Sequence, residues 1–374
     1  MKFVIAPDKF KGSLTAIQFC NAVESSLKRI LPNAEIYRLP LSDGGDGIID
    51  ILEYHLHGKR LKLQVNNPLF RSIQASYLNM DAINTAFIEM AAASGIALLK
   101  PEEQNCFYTT SLGTGELIKH AIKKGAKTII LGIGGSATND CGIGMAAALG
   151  YTFEDERGKE LRPIGKNLSK IHHINTNTVL NVLDEVEFKV ACDVTNPLFG
   201  KNGAAYVYGP QKGASSSEIA QLDEGLQHLS KLFIKQFDRD IQNLKGAGAA
   251  GGMGAGASVF LNAELQSGIT LVKDLINFDA KINNADWVIT GEGKLDAQTL
   301  SGKTIHGVIT SAKAKKIKVA AFCGAMDLSD TDIKNFGIDY ADAVLNYSKN
   351  LEDAMKNGYS YVEGMAEKFA KMFV

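Results

Sequence analysis

The first forty residues constrain this chain most. Lys2–Ala6 (KFVIA) is a short apolar run stopped by Pro7, and Ala34–Leu39 (AEIYRL) is a second, ended by Pro40. Between them Ile17, Val23, Leu27 and Ile30 recur at helical spacing, with Thr15 placed as an N-cap, which predicts a helix over Thr15–Ile30. Two strands joined by a helix pair in parallel through a crossover, so the helix must cover a sheet face. Gly47–His57 reads as the next helix. The same style returns near the C-terminus, with strand Trp287–Thr290, helix Gly302–Ala314, strands Val319–Cys323 and Ala343–Asn346, and a closing helix Leu351–Phe373.

The middle of the chain is different. Leu61–Val65, Ser72–Met80 and Thr85–Met90 read as strands joined by the short turns NNP and DAIN, which fits antiparallel pairing. Helix Thr114–Lys124, strand Thr128–Ile133, a polar irregular section Glu154–Glu187, strand Phe188–Cys192 and helix Ser217–Phe237 follow. The expected architecture is therefore α/β with two different domains. Residues 1–62 plus 286–374 share a parallel sheet, and 63–285 form an inserted mixed-sheet domain.

Charge narrows the function. With 40 basic and 41 acidic residues the net charge is −1, so no bulk field draws in nucleic acid or an anionic membrane. Any anion must be held by a local site. The five cysteines are scattered, with no C-x-x-C pair, as in a reducing compartment. The N-terminal apolar run is too short for a signal peptide, and the uncharged stretch Gly246–Ala263 is mostly Gly and Ala and too short to span a bilayer comfortably. A cytoplasmic protein is expected.

Chemistry-bearing residues gather in loops after strands. GIGGSATNDCGIGM (132–145) follows the apolar run TIIL, and its glycines make it a poor strand and a poor helix. Bare backbone ahead of a helix N-terminus suits a phosphate or carboxylate; a tight turn for close packing is the plainer alternative. LSDGGDG (41–47) places Asp43 and Asp46 after a strand, suited to Mg²⁺ or to a hydroxyl that loses a proton, or simply a polar turn with an Asp cap. APDKFKGSL (6–14) offers Lys9, Lys11 and Ser13, which could hold an anion or be solvated. GEGKLDAQTLSGK (291–303) carries Glu292 and Asp296, and DVTNPLFGKNG (193–203) opens on Asp193. GAGAAGGMGAG (246–256) reads as one more bare-backbone loop. Together they argue for a polyanion and a metal.

Familiar templates match only partly. Gly132, Gly134 and Ala137 fit a G-x-G-x-x-A dinucleotide fingerprint, with Glu154 and Asp155 near the ribose-partner distance. That supports an NAD-dependent dehydrogenase of a small hydroxy acid as an alternative. A Walker A ending occurs at Gly302–Lys303–Thr304, but position 297 is Ala. A non-catalytic, ligand-responsive regulator is a third reading.

The loops taken together resemble the bacterial glycerate kinase family, the kind that includes glycerate 2-kinases. The pieces that carry the resemblance are APDKFKGSLTA, LPLSDGGDG, GIGGSATNDCGIGMAAALG, ACDVTNPLFGKNGAAYVYGPQKGA, GAGAAGGMGAG, ADWVITGEGKLDAQTLSGKT and FCG. They run in order over almost the whole chain. The resemblance implies one flavodoxin-like domain and one like a restriction-endonuclease core. It also implies transfer of phosphate from ATP to D-glycerate with Mg²⁺, giving 2-phosphoglycerate, in a monomer or homodimer. The roles expected on that basis are Asp193 as base or metal ligand, and Asp43 and Asp46 beside the transferred phosphoryl group, Asp43 also as a metal ligand. Lys9 and Ser13 would hold anionic oxygen. Gly134, Gly135, Ser136, Asn139 and Asp140 would form the anion cradle, and Glu292 and Asp296 would orient substrate or metal.

Overall fold

The computed structural model describes residues 1–44, 47–296 and 304–374. The chain divides into two compact units, Met1–His55 with Ser267–Val374, and Leu56–Gln266. Both joints lie upstream of the expected 62/63 and 285/286. Strand Lys59–Asn66 pairs along its length with Ser72–Met80, and helix Gly268–Leu275 packs on helix Thr304–Ala314.

The first unit is built on a five-stranded, all-parallel sheet. Counted within the unit, its strands Lys2–Ile5, Glu35–Arg38, Trp287–Thr290, Lys318–Cys323 and Tyr340–Ala343 lie in the order 2-1-3-4-5. Phe3 and Ile5 point into a core shared with Phe19, Trp287, Phe322 and Phe369, each side chain contributing roughly 1.5–3 kcal/mol on burial. Helix Ala16–Ile30 starts at a capping box formed by Thr15 and Gln18. Two expectations at the C-terminus are corrected. The last strand is Tyr340–Ala343, and Val344–Asn346 is a 3₁₀ turn. The closing helix is two, Leu351–Lys356 and Gly358–Ala370, because the Asn357 amide donates to Asp353 and the chain restarts at Gly358.

The second unit carries a six-stranded mixed sheet. Strands Lys59–Asn66, Ser72–Met80 and Thr85–Glu89 pair antiparallel, and Thr85–Glu89, Thr128–Gly132, Glu187–Ala191 and Glu264–Gln266 run parallel beside them. The long helix Ser216–Phe237, capped by Ser215 and Glu218, lies over this core through Leu222, Leu226, Leu229 and Phe233.

The reading of 246–256 as a loop is also corrected. Most of it belongs to a helix, Ala249–Phe260, interrupted at Ala250–Gly252 by left-handed backbone. Gly251, at φ +71°, sits so close that a Cβ would fall 2.1 Å from the Thr138 carbonyl, and a Cβ on Gly256 would fall 2.1 Å from that of Cys141. These glycines let one backbone pack directly against another.

Candidate active site

In a parallel sheet, loops after the strands share one edge, and ligands bind where the strand order reverses. In the first unit that reversal lies between Lys2–Ile5 and Trp287–Thr290. Asp8 follows the first of these strands and Glu292 the second, while Ser42 and Asp43 follow Glu35–Arg38. Asp8 is buried. Its carboxylate accepts from the Thr304 hydroxyl and from the Lys9 backbone N–H at 2.7 Å. Burial pushes its acid up to about 6 against the Thr304 hydrogen bond, and the nearby Asp43 adds to the rise. Asp8, Lys9, Ser13, Ser42 and Asp50 line a cavity of about 580 Å³.

The other expected residues of this unit are placed as follows. Lys9 and Asp43 are half-buried beside Asp8. The Ser13 hydroxyl donates to the Met355 carbonyl at 2.7 Å, so its proton is committed within the protein. Glu292 is buried, and its carbonyl accepts from Gly324 N–H at 3.0 Å. Asp296 is ion-paired with Lys294 at 3.5 Å. Asp46 and the Walker-like Lys303 lie outside the described residues. Asp8 itself stands in the quoted motif APDKFKGSL, but a lone Asp after Pro7 gives no signal of its burial.

In the second unit Thr128–Gly132 and Glu187–Ala191 are parallel neighbours, so the glycine loop and Asp193 leave the sheet at the same edge. Asp193 is exposed. Its loop is fixed at Asn196, whose amide donates to the Asn202 carbonyl at 2.9 Å and accepts from the Tyr208 hydroxyl at 2.7 Å.

The glycine loop divides into an open half and a closed half. Gly134 and Gly135 are exposed, and a Cβ on Gly134 would meet nothing within 4 Å. Gly135 has φ +67°, and the N–H groups of Gly134, Gly135 and Ser136 meet no acceptor among the described residues. Successive N–H groups at such a turn form an anion-binding concavity.

From Ser136 onward the loop is buried. Asp140 accepts from the Ser111 N–H and hydroxyl at 2.7 and 2.8 Å, and from the N–H groups of Gly142 and Gly144 at 3.1 and 3.3 Å. Full burial raises its acid, while those bonds act against the rise. Met145 N–H goes to the Ser111 hydroxyl at 2.9 Å. The following helix, Ile143–Ala148, is only six residues long, and its N-terminal donors are filled by Asp140 and Ser111. The first N–H groups of this helix are thus engaged within the protein, and of the expected cradle Gly134 and Gly135 are exposed while Ser136, Asn139 and Asp140 are buried. Thr138 Oγ1 and both side-chain polar atoms of Asn139 are buried with no hydrogen-bond partner among the described residues. Such groups are costly to leave unmade.

Sequence reasoning missed Lys212. It ends the turn Pro210–Lys212, where its carbonyl accepts from Cys106 N–H at 3.0 Å. Its buried ammonium donates to Ser136 Oγ at 2.7 Å and to the Thr138 carbonyl at 2.8 Å. Burial lowers its pKa to about 8, against smaller opposing effects from Cys106 and Asp140. The one hint in the sequence is a Lys enclosed by turn formers in GPQKGA.

A sequence profile of the Glycerate kinase family matches residues 3–374. The chain belongs to the glycerate kinase family. It is therefore an enzyme of the phosphotransferase class. It is 41% identical to a glycerate kinase of Halalkalibacterium halodurans, over 98% of this chain and 97% of that one. It is also 41% identical to the glycerate 2-kinase of Escherichia coli K12, over 97% and 95% of the two chains. A crystal structure of a candidate glycerate kinase 2 from Salmonella typhimurium LT2 superposes with a TM-score of 0.90 at 40% identity, covering 100% of this chain and 98% of that one. Family membership removes the support for a dehydrogenase or a regulator. The fingerprint context fails as well. The next helix starts only at Ile143, and Glu154 ends a strand of a separate two-stranded sheet.

Proposed function

We propose that this chain transfers the terminal phosphate of ATP to the 2-hydroxyl of D-glycerate, with Mg²⁺, giving 2-phosphoglycerate. The observation that carries the reading is the near full-length, 41% identical relation to a glycerate 2-kinase. Phosphoryl transfer asks a protein for positioning and charge neutralisation, and both units offer groups of that kind. The Gly134–Ser136 turn presents N–H donors to anionic oxygen, and Lys9 adds a cation at the cavity of the first unit. The substrate hydroxyl has a high pKa, so a carboxylate must take its proton. Asp193 is the proposed base or metal ligand, being exposed at the edge of its sheet. Asp140 shapes the loop from within, and Glu292 and Asp296 keep their proposed role of orienting substrate or metal on the resemblance alone. Asp46 keeps its proposed place beside the phosphoryl group on the resemblance alone.

Among the described residues no three acidic, His or Cys side chains gather into a metal cage. Mg²⁺ fits all the same, because it takes one or two carboxylates and fills its shell with phosphate oxygens and water. Asp43 and Asp8 in the first unit, or Asp193 in the second, are hard oxygen donors of that type. When bound, Mg²⁺ would neutralise charge on the phosphates. The flavodoxin-like reading of the first unit rests on its 2-1-3-4-5 strand order; the restriction-endonuclease likeness of the second rests on the resemblance. A cytoplasmic monomer or homodimer belongs to the same proposal. The test is ADP release with D-glycerate, with and without EDTA. The reading expects release that needs both D-glycerate and free Mg²⁺; release indifferent to either overturns it.

A further inference from the structure

An ammonium has three N–H donors. Lys212 gives two of them to neutral oxygens, Ser136 Oγ and the Thr138 carbonyl, and among the described residues no carboxylate stands within ion-pair distance. A buried charge in that state is expensive unless an opposite charge arrives. Ser136 supplies the second observation. Its Oγ accepts from Lys212, so its own proton points elsewhere, and no acceptor for it exists among the described residues. Beside it lie the open space over Gly134 and the three unengaged N–H groups of residues 134–136.

We propose that Lys212 is a positioning residue: from beneath the loop it holds the Ser136 hydroxyl as a donor aimed at an anionic oxygen seated on the Gly134–Ser136 turn, and its charge balances that anion. The anion is a phosphate oxygen of the nucleotide or the carboxylate of the acid. This inference rests on the functional reading above for its choice of ligands. The neighbouring glycines fix the device. Gly213, at φ +81°, lies where a Cβ would fall 1.8 Å from the Gln104 carbonyl, and Gly251 backs Thr138 from the other side. These close approaches pack the main chain beside Lys212 and Thr138 directly against neighbouring backbone.

The experiment measures binding of ADP and of D-glycerate separately, by calorimetry, to the wild type, S136A, K212M and the double variant, with thermal melts to confirm folding. One of the two ligands should lose roughly tenfold or more in each single variant, a size typical of a charge-assisted hydrogen bond. The double variant should lose no more than the worse single, because the two residues act as one device. The ligand that is affected identifies the anion, and the other should bind as in the wild type. Unchanged binding of both ligands to S136A, or losses that multiply in the double variant, would overturn the inference. S136A removes a single oxygen and decides the matter alone if K212M does not fold. Turnover of D-glycerate by the wild type is scored separately. Its absence sinks the functional reading, whereas S136A results on ADP still judge this one.

Discussion

At the scale of single residues, the site depends on charges placed where water is scarce. Lys212 shows what that does to stability. In the unfolded chain its ammonium keeps its proton to about 10.5; in the folded chain burial releases it from about 8. Between those values the unfolded state binds the extra proton, so this residue makes the ligand-free protein more stable as pH climbs from 8 to 10.5. Below 8 the cost of the buried charge is fully present. Melting curves of wild type and K212M across that range should converge or cross in that direction, and parallel curves would contradict the assignment. Asp193 is a separate matter. D193N should lower kcat by roughly 10²-fold or more if it removes the proton acceptor, with folding unchanged because the side chain is exposed. A near wild-type kcat would end that role.

At the scale of elements, the parallel strands were the most legible feature in the sequence. KFVIA and WVIT are apolar on both faces, and Pro7 and Pro40 mark where KFVIA and AEIYRL stop. The capped helix after Thr15 was equally plain, since its period and its cap agree. The segment 246–256 was not legible. Glycine there signals loop by propensity, but its absent Cβ is used for backbone contact across the fold, which no local pattern encodes. The same holds for Asp140 and Ser111. They are far apart in sequence, and only the packed loop shows that they close a helix end instead of leaving it to a ligand. The prediction at this scale is that Gly251→Ala costs about 1–3 kcal/mol or more, through both the left-handed backbone and the collision with Thr138. Chemical denaturation measures it; a change under about 0.5 kcal/mol would show that the contact is not tight.

At the scale of the whole molecule, the sequence pattern anticipated two α/β units, one of them formed by both ends of the chain. It also listed loops at strand ends, though not which residues within them were turned inward. Ser13, Asp140 and Asp296 have partners inside the protein, while Asp8 and Lys212, unremarked in the pattern, are buried at the sites. Burial is a property of the assembled sheet edge, so it could not be read from the loop itself. The central claim concerns the reaction. The most direct measurement is phosphorus NMR of the product formed from ATP, Mg²⁺ and D-glycerate by the intact enzyme. The account predicts the resonance of 2-phosphoglycerate. Accumulation of 3-phosphoglycerate alone, or no phosphorylated acid from a folded enzyme, would contradict it.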